Sequence, residues 1–388
     1  MNAYIVDAVR SPIGRKNGAL AGVRGDDLAA QVLNELVARS ELDPAAIDDV
    51  QMGCVTQIGE QGWNVGRMAV LAAGWPVSVG ATTVDRQCGS SMQTTFNAAA
   101  AVASGQLDLV VSAGVEMMSR VPMGSNGGSI SDEVTSRHEI VMQGTSAELL
   151  AKEWGISREA QDEYALESHR RAIAAIDHGR FASEIVPIEL PDEPVGGGGG
   201  AATQTRFAVD EAARRETSLE KLASLAPAFQ ADGVVTAGNS SQIVDGAAAV
   251  LIASEGALAR HGLEARARVV SFGLAGVDPT RMLHGNPEAI QKALDRAGLT
   301  LDDMGVIEVN EAFAVVVLQT AADLGLAERM GDVNPNGGGI SLGHPLGATG
   351  ARITATLLPE LERRGARYGV ASMCVGFGMA IAAVVERL

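Results

Sequence analysis

Cysteine is scarce in this chain: three in 388 residues, Cys54, Cys88 and Cys374. That is too few and too widely spaced for a disulfide framework, and none stands in the CxxC or HxxxH spacing of a structural zinc site. Three free thiols fit a reducing compartment, so a cytoplasmic location is expected. Aromatic residues are only 3% of the chain against 46 glycines, which points to tight turns and close backbone approach rather than ring packing. Basic residues are outnumbered, 30 Lys and Arg against 47 Asp and Glu, and the formal charge of −17 excludes a nucleic-acid binder that must displace counterions from phosphates. No apolar run approaches the ~20 residues of a membrane span. No secretory or lipidation signal is expected, because "MNAYIVDAVRSPIG" goes straight into a strand-like run and "VVERL" matches no such signal.

What is present is alternation. "AYIVDAV", "DDLAAQVLNELVARS", "DDVQMGCV", the alanine-rich segment after Cys88 and "LDLVVSAGV" read as βαβ units around a buried sheet. The order recurs from "ARVVSFGLAGV" to "AIAAVVERL". Laying Leu42 over Leu299 and Val110 over Val370 aligns the two stretches, which predicts an internal duplication with corresponding strand ends meeting near a pseudo-twofold axis. The expected division is 1–115 for the first half, completed by about 243–264, then 265–388 for the second. Residues 116–242 have a different texture, with the run Gly196–Gly200 read as a mobile loop tip in an inserted subdomain.

Cys88, in "VDRQCGSSMQTTFNAAAAVASG", follows a strand and opens a helix. Two readings stand: a small core residue, or a nucleophile whose pKa is lowered by free N–H groups and the helix dipole. Cys374, in "ASMCVGFGMA", is the counterpart of Gly114 by the repeat, which would bring a strand-end cysteine of one half near the helix-start cysteine of the other. Gly376 beside it can offer an N–H group to a developing oxyanion. Cys54 is read as packing. His344 lies in the glycine-rich "NPNGGGISLGHPLGATGAR", where a backbone-close ligand or a histidine fixed at a turn by Pro345 is expected and no Walker lysine follows. Of the other histidines only His284, in "RMLHGNP", draws notice. Asn310, in "IEVNEAFA", ends an apolar strand and starts a helical run, so a helix cap is the simplest account of it.

Taken in order, "RSPIG", "DRQCGSS", "GVEMMSR", "TAGNSSQIVDGAAAV", "NEAF", "NGGGISLGHPLGATGAR" and "MCVGFG" resemble the thiolase family along the whole chain. The resemblance implies an α/β thiolase fold, two duplicated βαβαβαββ halves in a five-layer αβαβα body with an inserted loop subdomain. It implies an acyl-CoA C-acyltransferase in which Cys88 takes the acyl group and His344 activates it. Asn310 would hold a water, Cys374 would serve as acid and base, and the N–H groups of Cys88 and Gly376 would bind the oxyanion. Coenzyme A is the implied co-substrate, with no permanent cofactor and no metal. Ser241 would touch pantetheine, Ala312 and Phe313 would line the tunnel, and Arg214, Arg215 and Lys221 are the cations available to the phosphates. Ala226 stands where many members have arginine. Met142 and Gln143 replace a His-Met pair of biosynthetic members, "HGNPEA" replaces a "GPIPA"-like segment, and Phe377 stands where glycine is common. These departures, with a short 119–147 region, point to a degradative enzyme for a bulkier 3-ketoacyl chain, acting as a homodimer, possibly a homotetramer. A biosynthetic acetoacetyl-CoA thiolase is the alternative. A noncatalytic acyl-CoA-binding paralogue and a thiol hydrolase are the more distant ones.

Overall fold

The computed structural model describes residues 2–191 and 205–388. The glycine run 196–200 lies outside the described residues. The first half contributes strands β1 (Ala3–Arg10), β2 (Asp49–Gly53), β3 (Gly80–Val84), β4 (Leu109–Met117) and β5 (Val244–Ala253). Its helices are α1 (Gly25–Arg39), α2 (Val65–Ala72) and α3 (Ser90–Ala103). Between β4 and β5 come α4 (Gln143–Glu153) and α5 (Arg158–Asp177). The second half adds β6 (Ala267–Gly276), β7 (Met304–Val309), β8 (Tyr368–Val375) and β9 (Met379–Arg387). Its helices are α6 (Asn286–Ala297), α7 (Ala314–Asp323) and α8 (Thr349–Arg364).

The duplication is visible in the pairing. The first sheet runs β3-β2-β4-β5-β1 and the second β7-β8-β9-β6, each with parallel neighbours on one side and antiparallel neighbours on the other. The counterpart of β3 has shrunk to one parallel bridge, Ile307 to Val333. The halves also join at an edge, where β1 pairs antiparallel with β6 through Ala3–Val269, Tyr4–Arg268 and Ile5–Ala267. The five layers are α1 and α2, the first sheet, α3 and α8, the second sheet, and α6 and α7.

Small residues make the middle layer possible. β5 is buried at all ten positions of "VDGAAAVLIA", and α3 and α8 touch strands of both sheets. A Cβ on Gly350 of α8 would collide with the Met92 backbone of α3, and one on Gly114 with Gly347 and Ala348. Close helix crossing of this kind replaces the packing that aromatic rings supply in other cores. Ser91 Oγ accepts a hydrogen bond from Ala351 N at 2.9 Å, which ties the N-terminal turns of α3 and α8 together.

Candidate active site

Cys88 sits in a tight turn ahead of α3. Gln87 takes a left-handed φ of 46°, held by its N–H donating to Asp85 Oδ1 at 2.6 Å, while Ser90 Oγ donates to Gln87 O at 2.6 Å. A non-glycine residue in that region costs on the order of 1 kcal/mol or more, so the turn is held by its surroundings. The N–H groups of Cys88 itself and of Gly376 lie near enough to the thiol to favour its charged form. Gly376 begins the turn between β8 and β9, in which Phe377 also takes a positive φ, 65°, with its ring half exposed. The expectation that the helix start lowers the Cys88 pKa is corrected here. Burial outweighs both N–H groups and, with Glu116 and Asp85 adding repulsion, pushes the thiol up to about 12.

Cys374 is fully buried on β8 and near enough to Cys88 for negative charge there to raise its own proton affinity, second only to burial. The strand-end cysteine of one half and the helix-start cysteine of the other therefore share one site. His344 is buried as well, and burial, aided by the Arg352 cation, brings its pKa down to about 3. Its backbone N–H donates to Gln242 O at 3.2 Å. Its Nδ1 is 2.6 Å from Thr349 Oγ1, and its Nε2 is 3.4 Å from Asn310 Nδ2.

Asn310 does not cap a helix, contrary to the simplest expectation. α7 begins at Ala314 with Phe313 at its cap position, and Asn310 lies in the short link after β7. Its Oδ1 is buried without a protein partner, which leaves it free to hold a water or a ligand. Glu311 explains the rest of the tetrapeptide. It accepts from Tyr164 Oη at 2.8 Å, Ser168 Oγ at 2.7 Å and Ile340 N at 3.0 Å, pinning α5 and the His344 loop to the β7 end. Glu116 plays a similar part across the halves, accepting from Val55 N, Thr56 N and Gly347 N at 2.9, 3.0 and 2.9 Å.

Sequence reasoning passed over Thr349, Glu116 and Gln87. Thr349 had a signal, a hydroxyl at the start of a helix five residues after His344. Glu116 had one as well, an acidic residue inside an otherwise apolar strand, which must be satisfied when buried.

The residues expected to bind the carrier are divided. Arg214, Arg215 and Lys221 line a cavity of about 400 Å³ together with His169, Gly238, Gln242 and Ile340. Arg215 is held by Asp177 at 2.6 Å and Lys221 Nζ donates to Glu216 O at 2.6 Å, while Arg214 reaches Gln242 Oε1 at 3.4 Å. Gln242 thus belongs to the cavity wall and, through its carbonyl, to the His344 loop. Ser241 N donates to Ala312 O at 2.9 Å, and Ala312 and Phe313 are buried beside Cys374 in one apolar cluster with Met282 and Leu283. Met142 is exposed at the start of α4, with Gln143 next to it half-buried. Ala226 is exposed, and His284 is half-buried with its ring 6.3 Å from that of Trp154. Cys54 is buried packing. Among the described residues no group of three or more His, Cys, Asp or Glu is placed to hold a metal ion, and no helix is long and apolar enough to cross a membrane.

Two buried thiols from duplicated halves, an imidazole and N–H groups on an α/β body are the groups an acyl-transferring enzyme uses. The chain belongs to the thiolase family: the thiolase N-terminal domain model matches residues 3–256 and the C-terminal domain model residues 263–387. It is 45% identical to a beta-ketoadipyl-CoA thiolase of Acinetobacter baylyi, covering 100% of both chains. It is 47% identical to a 3-ketoacyl-CoA thiolase of Vibrio vulnificus, covering 100% of this chain and 99% of the other. A steroid 3-ketoacyl-CoA thiolase of Mycobacterium tuberculosis is 44% identical over 100% of this chain and 94% of its own. The crystal structure of the Bacillus anthracis acetyl-CoA acetyltransferase superposes with a TM-score of 0.90 at 41% identity, covering 100% of this chain and 99% of that one.

Proposed function

We propose that the enzyme cleaves a 3-ketoacyl-CoA with coenzyme A, releasing acetyl-CoA and a shortened acyl-CoA. The observation that carries this reading is the meeting of Cys88, Cys374 and the Gly376 N–H in one buried site. His344 Nε2 takes the Cys88 proton and the thiolate attacks the 3-keto carbon, whose oxyanion is met by the N–H groups of Cys88 and Gly376. The C2–C3 bond breaks, its electron pair passes to the acetyl-CoA enolate, and Cys374 protonates C2. Coenzyme A then gives its thiol proton to the Cys374 thiolate and attacks the thioester, returning Cys88 as a thiolate. Asn310 Oδ1, buried and unpartnered, holds the water that assists at the enolate oxygen.

The carrier lies along the cavity walled by Arg214 and Gln242, with Ser241, Ala312 and Phe313 guiding the pantetheine inward. Of the three expected cations Arg214 is the most available, because Arg215 is spent on Asp177. The exposed Met142 and the His284 segment mark the acyl end, and the names of the relatives, from beta-ketoadipyl to steroid, fit a bulkier chain. Free nucleophilic thiols suit the reducing cytoplasm. A homodimer is favoured by the open edge of β3, flanked by Trp63 at 90% and Val77 at 79% exposure. The division into halves 1–115 and 265–388, with 116–242 carrying the ligand, follows the same logic.

Intact mass of the enzyme mixed with 3-ketoacyl-CoAs, from acetoacetyl to branched and cyclic, tests the reading. The expected result is an acyl adduct on wild type that is absent from Cys88→Ser and vanishes when coenzyme A is added. A strict preference for acetoacetyl-CoA would overturn the bulky-chain part, and no adduct from any substrate would overturn the whole.

A further inference from the structure

Thr349 Oγ1 has two short contacts. One is to Pro345 O at 3.0 Å, an oxygen that only accepts and that also takes the Ala348 N–H at 2.8 Å. The other is to His344 Nδ1 at 2.6 Å, and with the hydroxyl proton directed at Pro345 O the lone pairs of Thr349 face the ring, which makes Nδ1 the donor. The far side of the ring agrees, since Asn310 Nδ2 is a donor and stands 3.4 Å from Nε2. Thr349, Asn310 and His344 are all buried, so no bulk water competes for these bonds.

We propose that Thr349 is the positioning residue that fixes His344 in its Nδ1–H tautomer and keeps Nε2 an acceptor, held at rest only by the long 3.4 Å contact from Asn310 Nδ2, which gives way to the Cys88 proton. This rests on His344 acting as the base in the reaction above. The device needs no carboxylate. A hydroxyl whose own proton is pinned by the carbonyl four residues back behaves as an acceptor only, and it orients the imidazole without adding a charge to a buried site. Pro345 contributes twice, by fixing the turn and by supplying that carbonyl.

Three measurements test it. In 15N-histidine-labelled wild type, with the His344 signals assigned by their loss in His344→Gln, the proton is expected on Nδ1. Finding it on Nε2 overturns the proposal whatever the activity. Thr349→Ser is expected to keep kcat, whereas Thr349→Val is expected to lower kcat about 100-fold at unchanged KM, in line with misdirecting a general base. Wild-type kcat in Thr349→Val, or equal losses in Ser and Val variants of unchanged melting temperature, would overturn it. If Thr349→Val fails to fold, the tautomer measurement on wild type decides. A wild type that has the Nδ1 proton but cleaves no 3-ketoacyl-CoA would refute the reaction and not the tautomer.

Discussion

Cys374 is burdened twice, by burial and by any negative charge on Cys88. In the proposed reaction acylation would turn Cys88 into an uncharged thioester and remove the second burden, so Cys374 would give up its proton more readily when the carbanion needs it. Cys374→Ala is therefore expected to lose about 1,000-fold in thiolysis, the range of a missing acid–base group. Labelling of Cys88 by acetyl-CoA should survive, because a coenzyme A thiolate leaves with little help. Intact mass and steady-state rates separate the two, and parallel loss of both would contradict the assignment. His344 leaves a mark on stability. Its pKa falls from 6.5 to about 3 on folding, so between those values the unfolded chain binds the extra proton. Stability from this group is complete above about pH 6.5 and is lost as pH falls toward 3, at up to about 1.4 kcal/mol per pH unit. Urea unfolding at pH 5 and 7 is expected to show a shallower pH slope in His344→Gln than in wild type. Cys88, Asn310, His344 and Cys374 could be singled out as candidates because each stands in a local motif. Their protonation could not be read this way, because burial is set by layers that come from distant segments.

Where α3 crosses α8 the fit is between backbones, so no side chain can bend to relieve an added atom. Gly350→Ala would press a methyl group on the Met92 backbone and is expected to cost ~3 kcal/mol or more, at the upper end for overpacking. Gly276 ends β6 with open space around it, and Gly276→Ala is the control, expected to leave stability unchanged within about 1 kcal/mol. Equal melting temperatures for the two variants would refute this account of the crossing. The repeat could be read from sequence because its strands are long apolar runs at near-constant offset. What was missed is where pattern carries no signal. The third strand of the second half survives as one bridge at Val333, and Asn310 looked like a cap because strand and helix run together in sequence while the chain inserts a short link between them. The edge pairing of β1 with β6 spans only three residue pairs, too few to mark either strand.

At the scale of the whole molecule the sheet has one bare margin in the first half. β3 pairs with β2 on one side and with nothing on the other among the described residues, and its pattern Gly80–Val84 keeps all five residues at least partly exposed. α2 ties down the edge and the segment before it: Asn64 Nδ2 donates to Ala81 O at 2.9 Å and Arg67 Nη2 to Val77 O at 3.1 Å. Trp63 and Val77 stand out beside it, and Leu71 is 44% exposed on α2. An edge of this kind, with apolar flanks and only one of its outward groups taken by Asn64, is a template for a second strand. In the proposed homodimer a second copy would satisfy it by the same surface on both sides, giving a closed twofold pair. The expected mass in sedimentation is thus twice 40.0 kDa. Ala81→Pro removes an outward-facing donor of the edge and Trp63→Glu sets a charge on its flank; each is expected to shift the mass to 40.0 kDa at micromolar concentration. Persistence of the doubled mass in both variants would move the interface elsewhere on the molecule. The turn carrying Cys88 begins directly after β3, so the monomeric variants are also expected to lose kcat, by loosening the strand on which the Asp85 to Ser90 hydrogen bonds are built.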